Sequence, residues 1–104
     1  MNQAAARQYE RISELIAAAE LVADHNAGDD PFREWAAAAT AVALARMPNS
    51  PPPPGVVPAS TCTALLSEAF RLLNAIPANE RRPSHSLDRL YVAAALTRVR
   101  ELER

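Results

Sequence analysis

The chain has 104 residues, a net charge of −1 and an apolar content of 49%. The length predicts one domain with a modest core, because 23 of the residues are Ala, which favours helix but buries little area. The near-neutral charge gives no attraction to nucleic acids or acidic membranes, so we expect neither as a partner. The single Cys excludes an internal disulfide and any metal cluster built on cysteines.

The sequence has no secretory signal and no uninterrupted apolar run of about 18 residues, so we expect a cytoplasmic protein. All 11 basic residues are Arg, which indicates a GC-rich bacterial genome. Residues 1–58 contain four Arg and seven acidic residues, a net charge of −3, whereas residues 59–104 contain seven Arg and five acidic residues, a net charge of +2. This asymmetry favours head-to-tail self-association.

The first predicted helix covers about residues 2–25 and ends near Gly28, which can adopt a left-handed turn. Its apolar residues share one face at a heptad-like spacing, which is typical of near-antiparallel helix packing. They include Tyr9, Ile12, Ile16, Ala19 and Ala23.

The second predicted helix begins at Asp30 and Pro31, a capping residue followed by a proline at the first helical position, and stops before Pro48. Its surface is apolar or neutral nearly all round, which is unusual for an exposed helix. We expect its two aromatic residues, Phe32 and Trp35, to pack in the core against the first helix. Trp35 is also the strongest candidate for a binding hot spot.

Residues 48–58, PNSPPPPGVVP, form a proline-rich linker. Its run of four prolines predicts a polyproline II conformation at about 3.1 Å per residue, so the linker can span roughly 30 Å, the length of a helix of about 20 residues. The third helix can therefore run parallel or antiparallel to the second. The prolines also fit a PxxP docking motif, but we interpret the linker as a strap between two parts of one core.

The third predicted helix covers about residues 60–76 and has the clearest division into an apolar and a polar face. Cys62 belongs to the apolar face, so we predict a buried structural thiol. A charged loop follows, in which Arg81 and Arg82 are candidates for binding an acidic surface or a phosphate, the alternative being a solvated loop.

The fourth predicted helix runs from about residue 86 to the end of the chain, with Ser84 or Ser86 as its cap and Asp88 favourably placed in its first turn. Its apolar residues cover about 240° of the helix surface, whereas a surface helix needs only about 100°. The helix is therefore either central in the fold or covered by another molecule on a second side.

These elements predict an all-α fold: a four-helix bundle of two antiparallel hairpins, about residues 2–47 and 59–104, joined by the proline-rich strap into a single domain over residues 1–104. The sequence lacks paired carboxylates on an apolar face, a glycine-rich phosphate loop and a nucleophile motif, so we expect no enzyme activity. His25 and His85 are far apart and have no further ligands at helical spacing, so we expect no metal and no cofactor.

We therefore expect a small non-enzymatic bacterial regulatory protein, an anti-activator, inhibitor or adaptor, that binds another protein or a second copy of itself, as a homodimer, through apolar helix faces. The candidate partner-binding residues are Phe32, Trp35, Tyr91, Val92, Leu96, Val99, Arg81 and Arg82. One alternative is a helical-bundle sensor or carrier of a small molecule, which needs a closed pocket of several hundred Å³. Another is a helical DNA-binding regulator, although the fourth helix is mixed in charge.

Overall fold

A computed structural model describes residues 3–48, 51 and 54–103 and confirms an all-α fold of four helices packed together. The helices are α1 (Gln3–Ala27), α2 (Pro31–Ala45), α3 (Cys62–Asn74) and α4 (His85–Leu102). A single 3-10 turn, Ala78–Glu80, precedes α4. Residue 2, where the first helix was predicted to begin, and four residues of the linker lie outside the described residues. No helix in the described part of the chain is long and apolar enough to cross a membrane.

The helix ends follow the local sequence signals. A carboxylate oxygen of Asp30 accepts a hydrogen bond from the backbone N–H of Phe32 at 2.9 Å, and Gly28 has a positive φ of 53° in the turn between α1 and α2. The hydroxyl of Thr61 caps α3 by accepting from the N–H of Ala64 at 3.1 Å. Ser84 lies at the cap position of α4, but its hydroxyl donates to Asp88 instead of capping the helix.

Helices α1 and α3 are neighbours that run in opposite directions. The side-chain amide of Gln8, near the start of α1, donates to the carbonyl of Leu72 at the end of α3 at 2.8 Å. The thiol of Cys62, the first residue of α3, donates to the carbonyl of Ala19 in the second half of α1 at 3.3 Å. Since α2 turns back along α1 at Gly28, α2 and α3 point the same way.

Helix α4 runs against both α2 and α3. Arg46, directly after α2, forms an ion pair with Asp88 in the first turn of α4, while the Arg98 guanidinium near the end of α4 lies over the ring of Trp35 at the start of α2. The N–H of Thr63, at the start of α3, donates to Glu103, just after α4, at 2.7 Å. Around the bundle the order is therefore α1, α2, α4, α3, and every neighbouring pair is antiparallel.

The linker has to return the chain to the end of the bundle where α2 begins, because α3 starts there as well. Pro51 and Pro54 border a surface groove together with Ala17 and Leu21 of α1 and Leu44 of α2. Pro51 and Pro54 therefore lie against α1 and the end of α2, and the shared direction of α2 and α3 answers the question that the linker length left open.

The core is built mainly by α1, by α3 with the turn that follows it, and by α4, and its largest fully buried apolar side chains are Tyr9, Ile12, Ile16, Leu66, Leu73, Ile76 and Val92. Helix α2 turns only small residues inward, among them Ala36, Ala37 and Ala43. The expectation that Phe32 and Trp35 pack in the core is wrong: their side chains are 68% and 54% exposed. Alanine lets α2 approach its neighbours closely, and the space between the helices then has no room for the aromatic rings.

Candidate interaction face

Large apolar side chains are exposed mainly along one side of the bundle, where α2 and α4 lie next to each other. We call this surface the α2/α4 face and define it by Phe32, Trp35, Val42, Leu87, Leu90 and Tyr91. Among the described residues the other large apolar side chains exposed to a similar degree are Val56 and Val57, both in the strap. The α2/α4 face is therefore the one surface of the described bundle helices where such side chains are concentrated.

The face follows from the composition of α2. In a helix, residues three, four or seven apart lie on the same side, so Trp35, Ala38 and Val42 form one stripe. The small residues on the opposite side of α2 face the core. Since α2 is apolar or neutral nearly all round, the side turned away from the core exposes apolar surface to solvent.

Two arginines lie over the aromatic rings of the face. The guanidinium carbon of Arg98 on α4 is 3.5 Å from the ring centre of Trp35, and that of Arg46 is 4.9 Å from the ring centre of Tyr91. Each stack joins α2 to α4 and combines a cation–π attraction with contact along the arginine stem. Each stack gives the ring a contact within the chain, which favours one rotamer of that ring.

Most of the large apolar side chains of the face lie toward its two ends, with Val42 between them. Phe32 and Trp35 lie at the end of the bundle where α2 begins, and Leu87, Leu90 and Tyr91 lie at the other end, where α4 begins. Between them α2 and α4 expose residues such as Ala38 and Ala94. Because α2 and α4 are antiparallel, Phe32 and Trp35 lie beside the end of α4 that carries Arg98, and the large residues of α4 lie beside Arg46 at the end of α2.

The structure brings only some of the predicted partner-binding residues to this face. Phe32, Trp35 and Tyr91 belong to it, whereas Val92, Leu96 and Val99 are buried between the helices. The wide apolar surface of α4 is thus divided between the core, the contacts with α2 and α3, and the exposed part of the face.

The two predicted loop arginines make contacts within the chain. Arg81 Nε donates to the carbonyl of Ile76 at 3.0 Å, so this side chain satisfies a backbone group just after the end of α3. Arg82 Nη1 lies 3.3 Å from a carboxylate oxygen of Asp88 and 2.8 Å from the carbonyl oxygen of Arg46. These contacts occupy both side chains, so neither is assigned to the face.

Asp88 is the centre of a polar network at the end of the bundle where α4 begins. Its side chain is fully buried, and its two oxygens accept from Arg46 Nε and Arg82 Nη1, both at 3.3 Å, and from the Ser84 hydroxyl at 3.2 Å. The backbone N–H of Arg82 also donates to the Tyr9 hydroxyl at 3.2 Å. The network therefore connects the starts of α1 and α4 with the end of α2 and with the loop before α4.

The network was not found by sequence reasoning, which treated Asp88 only as a favourable acid in the first turn of a helix. Its arginine partners lie 42 positions before it and 6 positions before it in the chain. No helical periodicity relates them, and only the fold brings them together. Arg46 contributes both to this network and to the stack on Tyr91, so the network supports one end of the α2/α4 face.

Cys62 is buried, as predicted, and its thiol is a poor nucleophile. Burial, assisted by the nearby Glu103 carboxylate, raises the pKa of the Cys62 thiol to about 11. The thiol therefore stays protonated at neutral pH, and the protonated form does not attack electrophiles. A cavity of about 30 Å³ beside it, bordered by Ala23, Ala36 and Val99, has room for about two water molecules.

His85 is a buried side chain without a partner. It begins α4, is 6% exposed, and neither ring nitrogen has a hydrogen-bond partner among the described residues. Burial lowers the pKa of His85 from its ordinary value of 6.5, and the charges of Arg81 and Arg89 lower it further, against the opposing effect of Asp88. The start of a helix also disfavours a cation. The folded protein therefore holds this imidazole neutral.

We expect the free energy of unfolding to decrease as the pH falls below about 6.5 and through the lowered pKa of folded His85. The unfolded chain takes up the proton at a higher pH than the folded chain, so protonation favours unfolding in this window. Above the window the contribution of His85 is constant. Urea unfolding of the wild type and of His85→Leu from about pH 5 to about pH 7.5 measures the difference. His25→Leu changes the exposed histidine and should keep the wild-type slope; an equal slope in His85→Leu would contradict the prediction.

Comparisons with known proteins identify no relative. No family model matches the chain, and searches of curated proteins and of solved structures found no match. In the described part of the chain, no group of three or more His, Cys, Asp or Glu side chains is arranged to hold a metal ion. The α2/α4 face is therefore the feature of the described residues that indicates a function.

Proposed function

We propose that this chain is a small non-enzymatic bacterial regulatory protein that binds another protein through the α2/α4 face, as an anti-activator, inhibitor or adaptor does. The observation that carries the proposal is the concentration of six large apolar side chains, each at least 38% exposed, on two adjacent helices. Exposed large apolar side chains concentrated on one surface of a small protein are typical of interaction sites.

The composition of the face supports the proposal further. Binding energy at protein interfaces is concentrated in a few Trp, Tyr and Arg side chains. The face contains Trp35 and Tyr91, each stacked with an arginine. Ordered rings lose little conformational entropy when a partner covers them, so a larger part of the burial energy remains as affinity.

The cavity volume supports protein binding rather than the sensor or carrier alternative. A pocket for a small organic ligand takes roughly 300 Å³ or more. The cavity beside Cys62 measures about 30 Å³, and the larger grooves, of about 200 to 470 Å³, lie at the surface beside the strap, the charged loop and the start of α3. A small organic ligand between the helices would have to push them apart, because the alanines of α2 let the helices pack closely.

The proposal is tested by capturing proteins from a bacterial extract on the immobilised chain and on two variants. Leu90→Glu introduces a charge into the face at a 62% exposed position, and Val56→Glu introduces the same charge into the strap at an 80% exposed position. We expect the wild type and Val56→Glu to retain the same protein, and Leu90→Glu to retain less than about a tenth of it, because a carboxylate must lose its water shell against an apolar partner.

Equal capture by all three chains would contradict the proposal. Far-UV circular dichroism of each variant shows that the helices are intact. Both substitutions are at exposed positions, so we expect all three chains to give the same helical spectrum.

A further inference from the structure

We infer that the carboxylate of Glu103 closes the cavity beside Cys62, and that breaking its hydrogen bonds to the start of α3 exposes this thiol to solvent. We call these hydrogen bonds the Glu103 cap: the backbone N–H groups of Cys62 and Thr63 and the Thr63 hydroxyl all donate to the Glu103 carboxylate. The inference concerns the end of the bundle where α3 begins and does not depend on the proposed function of the α2/α4 face.

The Glu103 cap satisfies backbone groups that α3 cannot satisfy itself, because the first N–H groups of a helix have no partner within the helix. The Thr61 hydroxyl accepts from the N–H of Ala64. The N–H groups of Cys62 and Thr63 donate to the two oxygens of the Glu103 carboxylate, at 3.2 and 2.7 Å. A carboxylate at the start of a helix is also favoured by the helix dipole. The start of α3 therefore depends on where the end of α4 lies.

The same carboxylate borders the cavity beside the thiol. Leu102 and Val99 of α4 border this cavity as well, together with Arg33 of α2. Val99 is buried, whereas Leu102 is only partly buried and Glu103 is exposed. The last turn of a helix opens at a low free-energy cost when few buried contacts hold it. Loss of the Glu103 cap therefore opens the outer side of the cavity, while the buried contacts of Val99 remain.

The closed and open states differ in the reactivity of the thiol. In the closed state the Cys62 thiol is buried and donates to the carbonyl of Ala19 at 3.3 Å, and burial together with the charge of Glu103 raises its pKa to about 11. In the open state the thiol is in water and farther from that carboxylate. It still lies at the start of a helix and near Arg33, and both favour the thiolate. The open state therefore has the more reactive thiol.

The rate at which Cys62 reacts with dithiobis-nitrobenzoate tests the inference on the full chain. The thiolate attacks the disulfide of the reagent, forms a mixed disulfide with the protein and releases one coloured thionitrobenzoate. We expect Glu103→Ala to react at least about 10-fold faster than the wild type at a mildly alkaline pH, because hydrogen bonds to a charged group are lost. Glu101→Ala removes an exposed acid from the last turn of α4 and should react within about 2-fold of the wild type. Equal rates in Glu103→Ala and Glu101→Ala would overturn the inference.

A smaller change tests the hydroxyl that belongs to the Glu103 cap. Thr63→Val removes this donor but keeps the backbone N–H, so we expect a faster reaction than in the wild type and a slower one than in Glu103→Ala. Thr97→Val is the matched control, because the Thr97 hydroxyl donates to the carbonyl of Ala93 within α4. We expect Thr97→Val to react at the wild-type rate.

The urea dependence of the rate separates local opening from unfolding of the whole chain. Local opening exposes little surface, so the rate in Glu103→Ala should change little at urea concentrations below the unfolding transition. A reaction through global unfolding would accelerate with urea as steeply as the unfolding equilibrium changes. Such a steep dependence in Glu103→Ala would overturn the inference, because the faster reaction would then reflect lower global stability.

Discussion

Replacing Asp88 by Asn is expected to lower the free energy of unfolding by about 3 kcal/mol. The substitution keeps the shape of the side chain but removes the negative charge that two arginines share. Breaking a fully buried ion pair costs about 3–5 kcal/mol. The Arg46 and Arg82 side chains are 29% and 26% exposed, so water relieves part of that cost. For a domain with a total stability of about 5–15 kcal/mol, the expected loss is a large fraction.

Urea unfolding followed by circular dichroism at neutral pH measures this effect. Glu101→Gln removes an exposed acid from the same helix and serves as the matched control, with an expected change of less than about 0.5 kcal/mol. In thermal unfolding, Asp88→Asn should lower Tm by roughly 10–20 °C. A loss of less than about 1 kcal/mol would show that the arginines do not depend on this carboxylate.

The Asp88 network also connects stability with the proposed interaction. Arg46 contacts both the buried carboxylate and the ring of Tyr91. When the carboxylate is neutralised, the guanidinium loses the partner that fixes its position, and the ring loses the cation stacked on it. We therefore expect the α2/α4 face to be less ordered in Asp88→Asn at the end where α4 begins.

Sequence signals were sufficient for the helices because those signals are local. A capping acid, a proline at the first helical position and a left-handed glycine fixed the start of α2 and the turn before it. The apolar period of α1 correctly placed Tyr9, Ile12 and Ile16 in the core. Such local signals do not determine the order of the helices around the bundle, because a linker of about 30 Å permits more than one direction for α3.

The sequence did not predict which residues form the α2/α4 face. An apolar stripe shows that a helix has a side to cover, but it does not show which of two apolar sides faces the core. In α2, closely packed alanines face the core, and Trp35 lies on the exposed side of the helix. In α4, the same wide apolar surface contains buried Val92 and exposed Leu90, only two positions apart. Only the positions of α2 and α3 around α4 decide between them.

Deleting residues 51–58, PPPPGVVP, is expected to abolish the native fold. In the structure α3 begins at the same end of the bundle as α2, so the linker must cover at least the length of α2, which is about 22 Å for 15 residues. It must also cross sideways between helices that are not neighbours. The five residues left between Met47 and Thr61 reach about 20 Å when fully extended. Circular dichroism and urea unfolding should show the loss of cooperative unfolding.

A control variant with a linker of equal length separates the effect of linker length from the effect of proline content. Replacing the same eight residues with a Gly/Ser sequence keeps the reach but increases the conformational entropy of the unfolded chain. This variant should unfold cooperatively with a stability lower by a few kcal/mol, since each lost proline contributes about 0.4–1 kcal/mol. If the deletion variant unfolds as cooperatively as the wild type, α3 can pack in the opposite direction, and the fold does not depend on the strap. If the Gly/Ser variant also fails to fold, the stiffness of the prolines is essential in addition to their length.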